Sequence, residues 1–237
     1  MTERRQGRTL GIETSARVAG AAVTDDGLLL AEAAIDVRRM KTETLLELIR
    51  RMLDDLSLTV PDLDRIAYSE GPGSFTGLRV GMAAALGLAT GADLPLVAVG
   101  TLEVLAYPHR WIDRTIVTAS GLRRGHLFLG AFEWDGLRFR PRLAASSGTV
   151  EEAWEAISMI GRDRFLFVGD AVDSLRTEIE ARFGDRARCA PPASPRAADV
   201  AALAEDPLRP RRRGREREGR TPSYHREADA RKPGARP

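Results

Sequence analysis

A pattern that occurs twice in the chain limits its architecture more than any single motif. Residues 9–35, TLGIETSARVAGAAVTDDGLLLAEAAI, read as strand, tight turn, strand, Asp-Gly hairpin and strand. Residues 115–144, TIVTASGLRRGHLFLGAFEWDGLRFRPRLA, read the same way, with Asp135-Gly136 at the second turn. Asp-Gly between alternating apolar runs is a strong hairpin signal, because both turn positions need positive φ. Behind the first unit the periodicity predicts a helix over 42–56, a strand over 65–69, a helix over 77–91 and a strand over 95–99. Behind the second it predicts a helix over 150–160, a strand over 164–168 and a helix over 172–183. A last helix falls at about 195–204. Hairpin strands followed by alternating helices and strands make a mixed sheet covered by helices. The expectation is an α/β chain of two like lobes, 1–100 and 101–206, with a cleft between them and a basic tail at 207–237.

That duplicated outline resembles the architecture of actin, hexokinase and the Hsp70 ATPase, built from two ribonuclease H-like lobes. At 237 residues the chain can hold a core for each lobe. An apolar content of 43% beside 30% charge excludes a disordered chain. The single Cys189 cannot form an internal disulfide and asks for no oxidising compartment. The first residues carry the arginines of a signal peptide, but Glu13 interrupts any apolar stretch. The longest uncharged run, Val80 to Ala92, falls short of the roughly 20 residues that span a bilayer. A cytoplasmic protein without membrane contact is expected. Residues 207–237 hold 11 basic and 4 acidic residues, so the tail is basic and the remainder acidic. Such a tail suits either RNA or simple solvation.

Between the strand at 65–69 and the following helix runs Gly71-Pro72-Gly73-Ser74-Phe75-Thr76-Gly77. It lacks the Gly-Lys-Ser/Thr of a Walker loop, and its glycine spacing is not that of a dinucleotide fingerprint. A helix N-terminus remains, whose backbone N–H groups can receive an anion. A plain structural turn is the competing reading. From Leu78 to Ala92 the only charge is Arg79, and a helix uncharged all round is normally buried on both sides. Gly77, Gly81, Ala84 and Ala85 form one face on which another backbone can approach closely, with Val80, Ala83 and Gly87 beside it. The covering surface belongs either to the helix's own lobe or to a partner. The helix before it carries an apolar stripe at Leu45, Leu46, Ile49, Met52, Leu53 and Leu56. Core packing is the default explanation of that stripe, and Leu48 stands off it as a second contact.

Reactive groups are few. His109, His126 and His225 have no second His or Cys at metal-ligand spacing, so no metal is expected. Ser74 lacks the Gly-x-Ser-x-Gly elbow of a nucleophile, and Cys189 reads as a small core residue. Glu13, at the end of the first strand, sits where actin-like ATPases place a cation-linked carboxylate.

The strings LGIETS, SEGPGSFTGLRVGMAAALGLA, LPLVAVGTLEVLA, VGD and PSYHR resemble the TsaB (YeaZ) family of tRNA threonylcarbamoyladenosine biosynthesis proteins, paralogues of TsaD. The resemblance covers about residues 8–206 and again the end. It implies the duplicated actin-like fold and a non-catalytic subunit without cofactor. Such a subunit binds a TsaD-like catalytic subunit, recruits a TsaE-like ATPase and meets tRNA through the complex. The same surface would also serve a homodimer of the free protein, an alternative the sequence leaves open. The implied docking residues are Leu45, Leu48, Ile49, Met52, Phe75, Thr76, Gly77, Arg79, Val80, Gly81 and Ala84. Glu13, Gly73 and Ser74 would mark a vestigial nucleotide site. The chain departs from the family at Glu13, usually Asp, and near Lys41, where a His is usual. Gly121 to Gly125 stands where Asp-Ala-Arg-Arg-Gly is common, which weakens any nucleotide reading. The alternative function is an actin-fold ATPase or a glycopeptidase-like metallopeptidase acting alone.

Overall fold

Residues 7–39, 44–135, 138–161 and 164–206 are described by the computed structural model. The expected helix start at 42–43, the Gly136 turn and the tail at 207–237 lie outside the described residues. Two five-stranded sheets carry the chain. The first holds β1 (Arg8–Glu13), β2 (Val18–Asp25), β3 (Leu28–Asp36), β4 (Arg65–Gly71) and β5 (Leu96–Gly100), in the order β3-β2-β1-β4-β5. The second holds β6 (Thr115–Arg123), β7 (His126–Asp135), β8 (Arg138–Thr149), β9 (Phe165–Val168) and β10 (Ala187–Cys189), in the order β8-β7-β6-β9-β10. In each sheet three antiparallel strands come first, and the opening strand then pairs in parallel with the fourth. The fourth pairs in parallel with the fifth. The two sheets thus share one topology. In the first hairpin Asp26 and Gly27 take φ of 49° and 82°, the left-handed pair that Asp-Gly supplies at low cost.

Helices α1 (Thr44–Asp55) and α2 (Phe75–Gly91) cover one face of the first sheet. Leu45, Ile49, Met52 and Leu53 of α1 recur at helical spacing and meet Leu10, Ile12, Ile66 and Tyr68. Each such side chain, fully buried, contributes about 1.5–3 kcal/mol. Helices α4 (Val150–Ser158) and α5 (Val172–Phe183) cover the second sheet likewise, around Trp154, Phe165, Phe167 and Phe183. Thr149 caps α4, its hydroxyl accepting from the Glu152 amide at 3.2 Å while the Glu152 carboxylate accepts from the Thr149 amide at 2.7 Å.

Two further helices exchange lobes. Helix α3 (Thr101–Ala106) follows β5 but lays Leu102, Leu105 and Ala106 against Ile116, Phe132 and Leu166 of the second sheet. Helix α6 (Ala197–Glu205) returns to the first sheet on the face opposite α1 and α2. Gly11 permits this, because a Cβ there would stand 2.3 Å from the Ala197 carbonyl oxygen. Glu32 of β3 holds the start of α6, accepting from the Ala198 amide at 3.1 Å and pairing with Arg196. At the other end the Thr24 hydroxyl donates to Glu205 at 2.5 Å. Val104 of α3, Val200 and Leu203 of α6, and Ala67 and Val99 of the first sheet form an apolar seam.

Neither α3 nor β10 is expected from periodicity. Helix α3 is six residues long inside the apolar run LVAVGTLEVLA, where strand and helix periods cannot be separated, and β10 is three residues long. Strands β4 and β8 also run further than expected, to Gly71 and Thr149.

Candidate functional site

The loop after β1 is where the expected residues meet. Glu13 is 1% exposed, at the end of β1 beside β4. One carboxylate oxygen accepts from the Ser15 amide at 2.5 Å and from the Ser15 hydroxyl at 2.5 Å. The other accepts from the Ser69 hydroxyl. Burial pushes the Glu13 carboxyl above its ordinary range, and the bonds from Ser15 and Ser69 offset part of that rise. The strand end is where the sequence places this acid. Both its oxygens accept from internal donors, which tie the end of β1 to β4.

The glycine loop is explained by the same place. The Ser74 amide donates to the Ser15 carbonyl at 2.7 Å. The Ser74 hydroxyl accepts from the Gly77 amide at 3.3 Å and caps α2. Gly73, Gly77 and Gly81 line up against Ser15 and Thr14. A Cβ on them would stand 2.4 Å from the Ser15 oxygen, 2.0 Å from the Thr14 oxygen and 2.1 Å from the Thr14 hydroxyl. The close backbone approach is therefore made within the lobe. Gly81 is buried and Gly77 half-buried, both facing Thr14. Ser74 caps the helix start, and Gly73 packs against Ser15.

The second lobe closes its strand end in a related way. Asp170 accepts from the Gly121 amide at 2.9 Å, while Gly169, at φ 125°, backs onto the Ala119 carbonyl. Arg124 and Gly125 make the β6–β7 hairpin with φ of 51° and 76°. Cys189 is half-buried, and burial pushes its thiol up, as suits a packing residue. No cluster of three or more His, Cys, Asp or Glu side chains converges among the described residues. No helix among them is long and apolar enough to cross a membrane.

The expected docking residues separate by face. Leu45, Ile49 and Met52 are buried in the lobe's own core, and Leu48 is half-buried against it. Their spacing is that of α1's core stripe. On α2 the buried positions are Leu78, Gly81, Ala85 and Ala89, so the opposite face is open. Phe75, Thr76 and Arg79 stand on that open face, with Val80 and Ala84 half-buried at its edge. The Arg79 guanidinium lies 3.9 Å from the Phe75 ring centroid. Leu86, 38% exposed, and Ala83 and Gly87 extend the face; their absence from the expected docking set follows from treating the helix as covered on both sides. A helical-wheel count from Leu78 finds them. Leu46 of α1 is also exposed, beside an ion network of Glu47, Arg50, Arg51 and Asp54.

Comparison with known proteins places this geometry. A family model described as TsaD, tRNA N6-adenosine threonylcarbamoyltransferase, matches residues 36–233. The tRNA threonylcarbamoyladenosine biosynthesis protein TsaB of Escherichia coli is 29% identical over 184 residues, spanning 69% of this chain and 79% of that protein. Its Bacillus subtilis counterpart is 31% identical over 125 residues, spanning 53% of this chain and 55% of that protein, little over half its length. Among solved structures, a Pseudomonas aeruginosa protein described as similar to peptidase YeaZ superposes with a TM-score of 0.68 at 22% identity, covering 83% of this chain and 89% of that one. YeaZ of Pseudomonas aeruginosa superposes with a TM-score of 0.65 at 23% identity, covering 83% and 90%. The fold is thus the duplicated actin-like α/β fold, and the chain belongs to the TsaD family, within its TsaB (YeaZ) group.

Proposed function

We propose that the chain is a non-catalytic subunit of tRNA threonylcarbamoyladenosine biosynthesis, which binds and activates a TsaD-like threonylcarbamoyltransferase acting on the adenosine beside the anticodon. The pathway comes from the TsaB relatives. The observation that supports the subunit role is the open face of α2. Phe75, Thr76, Ala83, Leu86 and Gly87 make an uncharged helical strip with Arg79 as its one charge, on a helix whose other face is fully packed. Exposed apolar strips of this kind mark protein contacts. The acid at the end of β1 supports the same reading, since Ser15 and Ser69 hold both its oxygens. A TsaE-like ATPase and tRNA join through the complex, and the free chain homodimerises through the same strip.

The test is co-purification with the organism's TsaD-like protein, followed by threonylcarbamoylation of tRNA with and without this chain. Modification that needs both proteins is the expected result. Equal modification without this chain, or ATP turnover by this chain alone that is lost in Glu13→Ala, overturns the proposal.

A further inference from the structure

Several arginines of the described surface are ion-paired. Arg17 and Arg38 meet Asp36, Arg50 and Arg51 meet Glu47, Arg140 meets Asp135 and Arg176 meets Asp173. The base of the second sheet gathers three others. Arg114, Arg164 and Arg186 are the residues immediately before β6, β9 and β10. Those strands are parallel, and Thr115, Phe165 and Ala187 are in register across them. The three arginines therefore stand in one rank along the rim, at strand spacings of about 4.8 Å. Arg114 fixes the rank by donating to the Phe165 carbonyl at 3.5 Å and the Arg186 carbonyl at 3.3 Å. Beside it the turn after α3 presents Trp111, 66% exposed. Arg110 lies over both neighbouring rings, 3.9 Å from the Tyr107 centroid and 4.6 Å from that of Trp111.

We infer that this rim is a binding surface for single-stranded RNA, with one base stacked on Trp111 and its flanking phosphates on Arg114, Arg164 and Arg186. A flat aromatic ring beside guanidiniums is the chemistry that holds an unpaired strand, since every base has a π face and every linkage a negative charge. A stable protein interface buries about 800 Å² per side around an apolar centre, and Trp111 and Ile112 are the large apolar side chains exposed at this rim. The inference rests on the proposed function only in choosing RNA over DNA.

The test uses the full chain and a short single-stranded oligouridine. Trp154 is buried and Trp134 is packed against Phe139, so quenching of tryptophan fluorescence reports Trp111. RNA is expected to quench it. Trp111→Ala should weaken binding of labelled RNA by roughly 5- to 100-fold, the worth of one stacked base. Trp111→Phe, which keeps an aromatic face, should recover part of that loss at an unchanged melting temperature. Arg164→Gln with Arg186→Gln should flatten the salt dependence by about 0.7 in log–log slope per phosphate lost, while Arg140→Gln leaves it unchanged. Absence of quenching, wild-type affinity in Trp111→Ala, or displacement of RNA by poly-glutamate at equal charge overturns the inference. Each variant is also tested for the TsaD-like subunit. A wild-type chain that binds the TsaD-like subunit but no RNA defeats this inference alone, and RNA binding by a chain that binds no such subunit defeats only the proposed function.

Discussion

At Glu13 a carboxyl is kept inside the protein by three donors, and its cost is readable in pH. Its folded value lies above the ordinary 4.5, so the folded state holds the proton more tightly than the unfolded chain. The stability this supplies is full below 4.5 and is lost as pH rises through the folded value. Glu13→Gln keeps an acceptor and removes the titration. The wild-type melting temperature should therefore fall relative to Glu13→Gln as pH is raised above 4.5; parallel curves would contradict the burial-dominated account. Asp199, in the first turn of α6, follows the same sign. Burial raises it from 3.8 to about 6, with Arg196 holding it partly down and Glu32 adding to the rise. Asp199→Asn should flatten the stability curve between about 4 and 6, measured in the same melts.

At the scale of one element, α2 makes two opposite predictions within three turns. Gly77→Ala places a Cβ 2.0 Å from the Thr14 carbonyl oxygen, a backbone atom that cannot step aside. Overpacking of this kind costs about 1–3 kcal/mol, more than the roughly 1 kcal/mol of helix propensity that alanine returns. Gly87 meets nothing within 4 Å, so Gly87→Ala should stabilise by up to about 1 kcal/mol. Denaturant midpoints of the two variants should move in opposite directions; a shared direction would mean the packed and open faces of α2 are misassigned. The sequence made the helix and its small residues legible, and it left two owners open for the close contact. What it could not supply was the path of the Thr14–Ser15 loop, which lies some sixty residues earlier in the chain and claims the glycine face. The apolar stripe of α1 was legible as a core stripe, and the structure keeps Leu45, Ile49 and Met52 to that role.

Across the whole molecule, the duplicated sheet could be read because each hairpin unit announces itself by alternation and Asp-Gly turns. The exchange of α3 and α6 could not, since it depends on contacts between distant segments. That exchange predicts that Glu32→Ala, which removes the cap on α6 and the partner of Arg196, costs about 0.5–2 kcal/mol in an unfolding titration. An unchanged midpoint would show that the α6 start needs no holding from β3. The central claim is that the open face of α2 docks the catalytic subunit. Its most direct test is titration of a TsaD-like protein with Ala83→Arg, a change on an exposed position that leaves the packed face alone. The account predicts an unchanged melting temperature, affinity reduced at least about tenfold, equivalent to ~1.4 kcal/mol, and tRNA modification reduced in step. Wild-type affinity and modification in a fully folded Ala83→Arg protein would contradict it.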